Sequence, residues 1–242
     1  MKYTTDYLLD KKITVFQPVD GYRASSDAVI LSSMVKHLKK TDTVLDIGSG
    51  TGAISLCLAA RFKETSITGL EIQPKLAELS TQSAAANGFE NLKFINCDIR
   101  KPPAIIKNQS FNHIITNPPY SDHDMPSPNP SKAFAHNHQE FNLSSWLSFA
   151  IKRLAPNGYL YTINRAEAID EILHVLHGKI GNITIIPLFS KDGQPAKRVL
   201  LSARRDSRAP TQILPSLLIH THEGGYTEKA EKILKEGKSL WE

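Results

Sequence analysis

Only two cysteines occur in this chain of 242 residues, Cys57 in a helical run and Cys97 in a strand, which excludes a disulfide framework and leaves no Cys-x-x-Cys pair. Both read as reduced core residues. Long apolar runs are missing as well: none approaches the roughly 18 residues that a membrane span needs. The opening Met1-Lys2-Tyr3-Thr4-Thr5-Asp6 has no apolar signal core, so a cytosolic protein without a membrane partner is expected. His136 and His138, and further on His220, His222 and Glu223, lack the companions that zinc or iron sites require, so no metal is expected. Neither an internal repeat nor a second domain is visible. What is present is a 40% hydrophobic composition over a length sufficient for one large α/β core. The formal charge of +5 leans towards an acidic partner.

From Thr43 onward, short apolar strands alternate with helical stretches, the pattern of a parallel sheet covered on both faces. Strands are expected at residues 44–47, 67–70, 92–97, 111–116, 159–164, 183–189 and 198–203. The intervening helices are expected to begin at Ala53, Pro74, Leu143 and Ala166, with an earlier one over residues 28–38 and a solvated one over 228–238. The last two strands, separated by a short loop, read as a hairpin. Residues 121–138 are rich in proline, asparagine and serine and read as a loop over a substrate site. The division expected is an extension and helix over residues 1–40, a catalytic domain over 41–209, and a tail over 210–242.

Asp46-Ile47-Gly48-Ser49-Gly50-Thr51-Gly52 joins a strand to a helix through glycines, which let backbone approach a ligand closely. The Gly-x-Gly-x-Gly spacing differs from the Gly-x-Gly-x-x-Gly of dinucleotide folds, which favours a ligand without phosphates. Glu71 closes the next strand and is followed by Ile72, at the separation where an acid grips ribose hydroxyls. Asp98, followed by Ile99, closes a third and is placed to accept from an adenine amino group. Three strand-end carboxylates and a glycine turn make a nucleoside pocket.

Asn117-Pro118-Pro119-Tyr120 follows an apolar strand that ends abruptly. The turn gathers a carboxamide, carbonyls without competing N–H groups and an aromatic face. An exocyclic amine could donate to the Asn117 side-chain oxygen and the Pro118 carbonyl while Tyr120 stacks on its ring. No general base is present, so the chemistry that suits is attack by a nearly neutral nitrogen on a reactive electrophile such as a sulfonium methyl.

Together these residues resemble the class I S-adenosyl-L-methionine-dependent methyltransferases. The resemblance implies a Rossmann-like α/β fold: a mostly parallel seven-stranded sheet with helices on both faces and an antiparallel last strand. It also implies S-adenosyl-L-methionine as cofactor and S-adenosyl-L-homocysteine as product. Asp46, Gly48, Gly50, Gly52, Glu71, Ile72, Asp98, Ile99 and Asn117 would hold the cofactor, and Asn117 to Tyr120 would carry the transfer. A Tyr22-Arg23-x-x-x-Asp27 segment, the Arg204 to Pro210 stretch and the tail around His220 to Thr227 are similar to the bacterial tRNA1(Val) adenine-N6 methyltransferase family. That likeness implies a tRNA acceptor, methylated on the adenine beside the anticodon, and a monomer is expected.

Arg23 and Asp27 could contact the methionine end of the cofactor; capping of the following helix by Ser25, Ser26 or Asp27 is the plainer reading. Lys191, Lys197, Arg198, Arg204, Arg205 and Arg208 cluster around the final hairpin and are the expected RNA contacts, against the alternative of a solvated rim. Rival acceptors are guanine N2 in ribosomal RNA, adenine in DNA and a protein glutamine. Glutamine enzymes usually carry a helical domain before the donor loop, for which too few residues precede Asp46. A nucleotide-dependent oxidoreductase and a non-catalytic RNA-binding protein are the readings from other classes.

Overall fold

The computed structural model describes residues 2–119 and 142–242; Tyr120, the segment 121–138 and its His136 and His138 lie outside the described residues. The chain begins with an antiparallel hairpin of β1 (Tyr3–Leu8) and β2 (Ile13–Pro18), an element the sequence did not announce. Its turn places Leu9, Asp10 and Lys11 at φ of 51°, 51° and 66°, without a glycine to mark it. Ile13 and Val15 of β2 are fully buried.

Helix α1 (Ser26–Ser33) is shorter than the expected 28–38. Its last carbonyls are taken by other parts of the chain. Arg61 donates to Ser32 O and Val35 O, Leu240 N to Ser33 O, and the Trp241 indole to Met34 O at 2.8 Å. Such capture satisfies groups a helix end otherwise leaves orphaned. The Ser25 side chain makes no cap bond; its carbonyl accepts from Ala28 N.

Six units then follow: β3 (Thr43–Ile47), α2 (Ala53–Arg61), β4 (Ser66–Glu71), α3 (Pro74–Ala86), β5 (Leu92–Asn96) and α4 (Ala104–Lys107). Pro74 opens α3, where its missing N–H costs nothing, and Gly88 at φ 68° closes it. Asn87 at that end also bonds Thr14 N and O, tying the hairpin to α3. The remaining units are β6 (Phe111–Thr116), α5 (Leu143–Arg153), β7 (Leu154–Arg165), α6 (Ile169–Leu176) after a 3-10 turn, β8 (Ile180–Phe189) and β9 (Arg198–Arg205).

The strand order β8-β9-β7-β6-β3-β4-β5 is parallel except for β9, which is antiparallel to both neighbours. This is the Rossmann-like arrangement with its antiparallel last strand. Among the described residues the sheet holds these seven strands and two short additions: β10 (Gln212–Ile213) and β11 (Leu217–Leu218) pair with the outer edge of β8. Residues after 210 therefore shield an otherwise open edge. One face of the sheet packs α1 and α2 through residues such as Leu31 and Leu56, and the other packs α5 and α6 through Leu147 and Leu176.

The final turn also departs from expectation. A short helix α7 (Glu228–Glu231) passes into a π turn over Lys232–Glu236, and Ala230 and Ile233 are buried in place of a solvated face. The π turn packs against α1, and α7 against β11.

Candidate functional site

Strand order creates the site. β3 and β6 are neighbours with Ile47 opposite Thr116, so the residues that follow them, Gly48 and Asn117, emerge side by side at the carboxyl edge. On its other side β3 meets β4, so the chain leaves the sheet in opposite directions there, the place where α/β sheets bind ligands. A cleft of about 900 Å³, counted out to bulk solvent, opens at this point between Gly48, Gly50, Glu71, Asp98 and Asn117. Ile72, Ile99 and Pro119 also line it.

The glycine loop is anchored to β4. Gly48 N and Ser49 N both donate to Leu70 O at 2.9 Å, and Gly50 N donates to Glu71 Oε2 at 2.9 Å. Glu71 Oε1 accepts from Gln73 N at 2.8 Å, so one carboxylate clamps the loop and its own strand end together. Burial raises its pKa above the usual carboxylate range, opposed by those backbone N–H groups. Gly48, Gly50 and Gly52 all have φ between 56° and 86°, a region L side chains avoid.

Their second reason for being glycine was not legible. A Cβ on Gly48 would lie 2.8 Å from the Trp146 ring, and one on Gly50 would lie 2.6 Å from the Tyr22 ring. Trp146 arrives from α5 and Tyr22 from the segment before α1. Trp146 is fixed by its indole N–H, which donates to Thr116 Oγ1 at 2.8 Å, and that hydroxyl donates to Ile47 O at 2.8 Å. The Tyr22 hydroxyl is pushed up to about 12 by burial and by the charges of Asp46 and Glu71. Tyr22 stood in the Tyr22-Arg23-x-x-x-Asp27 segment noted above, but no local signal pointed to Trp146, which reaches the cleft from another part of the chain.

Asp46 lies beneath the loop and is fully buried, not in the cleft wall. Its Oδ2 accepts from Ser55 Oγ at 2.7 Å, while among the described residues Oδ1 has no partner, and the buried hydroxyls of Ser49 and Thr51 have none either. Burial pushes the Asp46 carboxyl up to about 7, with the nearby Glu71 charge adding to it. Unspent polar capacity around a glycine cradle fits a polar ligand seated on the loop. Asp98 lines the cleft with both oxygens engaged by Arg100, whose Nε lies 2.9 Å from each.

Other expected site residues are directed elsewhere. Arg23 does not line the cleft: it pairs with Asp6 at 2.6 Å and donates to Pro18 O, locking the amino-terminal hairpin. Asp27 is buried and bonded to Arg198. That pair engages Arg198, one of the cations of the final hairpin. The remaining hairpin cations are separated by the length of β9, roughly 24 Å. Lys191 and Lys197 lie beyond the cleft end, while Arg204 and Arg205 bond Asn157 O and Leu154 O at the opposite edge, with Arg208 just past them. Tyr120 lies outside the described residues. Among the described residues, no group of three or more His, Cys, Asp or Glu could hold a metal, and no helix is long and apolar enough to cross a membrane.

Comparison with known proteins agrees with this geometry. The sequence profile of the family described as Methyltransferase domain matches residues 38–182. A curated relative from Porphyromonas gingivalis named tRNA1(Val) (adenine(37)-N6)-methyltransferase is 26% identical over 238 residues, covering 92% of this chain and 91% of the relative. A protein of the same name from Shewanella baltica is 28% identical over 221 residues, covering 89% and 92%. Among solved structures, a predicted O-methyltransferase from Agrobacterium tumefaciens matches with TM-score 0.72 and 22% identity over 88% of this chain and 97% of that one. TYW2 of M. jannaschii, in complex with AdoMet, matches with TM-score 0.59 and 12% identity over 84% and 85%. A glycine loop clamped by a strand-end acid, at the switch point of a sheet in this order, is thus accompanied by a profile that spans it: the chain belongs to the methyltransferase-domain family and is an S-adenosylmethionine-dependent enzyme of the Rossmann-like class I.

Proposed function

We propose that the protein methylates the N6 amine of an adenine in tRNA, the base beside the anticodon of a valine tRNA. The observation that carries this reading is the emergence of Asn117 next to Gly48 at the switch point, which brings an amine-binding turn against the cofactor loop. The names of the full-length relatives support the choice of tRNA and of N6.

S-adenosylmethionine supplies an electrophilic methyl group on a sulfonium. The loop from Gly48 to Gly52 would cradle it, Glu71 would accept from ribose hydroxyls, and Asp46 beneath the loop would provide negative charge for its cationic end. Ile72 and Ile99 would wall the adenine, and Asp98, held by Arg100, would accept from the adenine amine. The target base leaves its stack to enter the cleft. The Asn117 side-chain oxygen and the Pro118 carbonyl accept from its NH2, drawing electron density onto nitrogen and aligning it for attack. Tyr120 supplies the stacking face. With no general base in the turn, water takes the proton after transfer.

Guanine N2, DNA adenine and glutamine amide present similar NH2 groups, so the acceptor is settled by chemistry. Labelled methyl is transferred to unmodified bulk tRNA, and the product is digested and chromatographed as nucleosides. N6-methyladenosine is the expected product. Label absent from tRNA and present in ribosomal RNA, DNA or protein would overturn the choice of acceptor.

A further inference from the structure

The cleft continues past Arg100. Ile99 and Arg100 also border a second hollow, about 1070 Å³ out to bulk solvent, that runs between α4 and α5. One of its walls is a single stripe of α5: Ser145, Ser148, Phe149 and Lys152 follow the i, i+3, i+4, i+7 spacing of one helix face. Leu143, Leu147, Ala150 and Ile151 are buried towards the core. Lys107, at the end of α4, faces this wall across the hollow.

Its charge is of one sign. Arg100, Lys107, Lys152 and Arg153 line it, with no carboxylate among the described residues of the lining. Among the described residues, Lys107, Lys152 and Arg153 have no acid within ion-pair distance. Glu171, beside Ser144, is engaged by that residue's N–H and hydroxyl at 3.0 and 2.7 Å. Arg153 lies over the Phe149 ring at 5.7 Å and keeps a buried Nε without a partner. Uncompensated cations held in one concavity repel each other, and an anion is what offsets that cost. α5 is about 16 Å long, so the charges are strung out rather than gathered around one point. Repeated phosphates suit that spacing better than a single small anion. An arginine on an aromatic face and a row of hydroxyls are the other groups with which proteins hold unpaired RNA.

We propose that this groove carries the sugar–phosphate backbone of the acceptor RNA into the cofactor cleft. The assignment rests on the reading of the acceptor as RNA given above. It is separate from the final hairpin, where Arg198 is paired and Arg204 and Arg205 lie at the far edge of the sheet.

The test is equilibrium binding, independent of turnover. A fluorescent transcript of the anticodon stem and loop is titrated with wild-type protein, with Lys107→Ala/Lys152→Ala, and with Lys63→Ala/Lys179→Ala, over a salt series. Lys63 and Lys179 are exposed at the strand starts opposite the cleft, so the control removes equal charge. The groove variant is expected to bind about tenfold more weakly near 0.15 M salt and to lower the slope of log affinity against log salt by about 2, with the control unchanged. Equal losses in both variants, or none in the groove variant, would overturn the groove while the tRNA reading stands. RNA left unbound by wild-type protein would overturn both.

Discussion

At the amino edge of the sheet, Asp42, His113 and Tyr161 satisfy one another. His113 Nε2 lies 3.4 Å from Asp42, and its Nδ1 lies 3.4 Å from the Tyr161 hydroxyl. Tyr159 stacks on the same imidazole at 5.8 Å, and Arg204 covers Tyr159. At the carboxyl edge, Asp46, Ser49 and Thr51 are buried, yet among the described residues each keeps an atom without a partner. One sheet thus carries two polar clusters of opposite accounting. Buried polar groups cost stability unless paired, so a cluster that spends all its capacity on itself is structural, and one that does not is prepared for a ligand.

The sharpest break of this contrast is Asn117→Ala, which should cut methyl transfer by roughly a hundredfold or more while cofactor affinity by calorimetry changes little. A matching loss of cofactor binding would place Asn117 in the wrong half of the site. Next comes Asp46. Its carboxyl titrates near 7 in the folded protein and at 3.8 ordinarily, so between those values the folded state holds a proton that the unfolded chain releases. From this group, stability of the cofactor-free protein is greatest below about pH 4 and falls as pH rises to about 7, with a slope approaching about 1.4 kcal/mol per pH unit. Denaturant titrations across that range should show the fall, and Asp46→Asn should flatten it.

Glu71→Gln replaces one of two acceptors for backbone N–H groups with a donor. Cofactor affinity should drop about tenfold, the scale of losing a charged hydrogen bond; unchanged affinity would detach the loop clamp from binding. The smallest effect is expected at the other edge. His113→Leu leaves Asp42 and Tyr161 without their shared partner and should cost about 1 kcal/mol of stability, with transfer per folded molecule unaltered.

Much of this was legible because it is local. The alternation of strands and helices, the glycine loop and the acids at Glu71 and Asp98 are each written within a few residues. The helix stop at Asn87-Gly88 likewise needs only the αL preference of glycine. Features decided by distant segments were not legible. α1 stops where Arg61, Leu240 and Trp241 claim its carbonyls, and the outer edge is filled by two strands of two residues each. The first hairpin hid because its turn uses Leu9, Asp10 and Lys11 in the left-handed region. Arg23 looked like a ligand contact only while its partner, Asp6 on β1, was invisible.

The contact of Trp146 with Gly48 has an optical consequence. The chain has two tryptophans, and the other, Trp241, is bonded to Met34 O where the carboxyl terminus docks. A Trp241→Phe protein would hold one indole emitter, set against the backbone of the glycine loop and held there through its N–H. Its emission would register whatever comes to rest on that loop, and so turn the least foreseeable residue of the cleft into its built-in reporter.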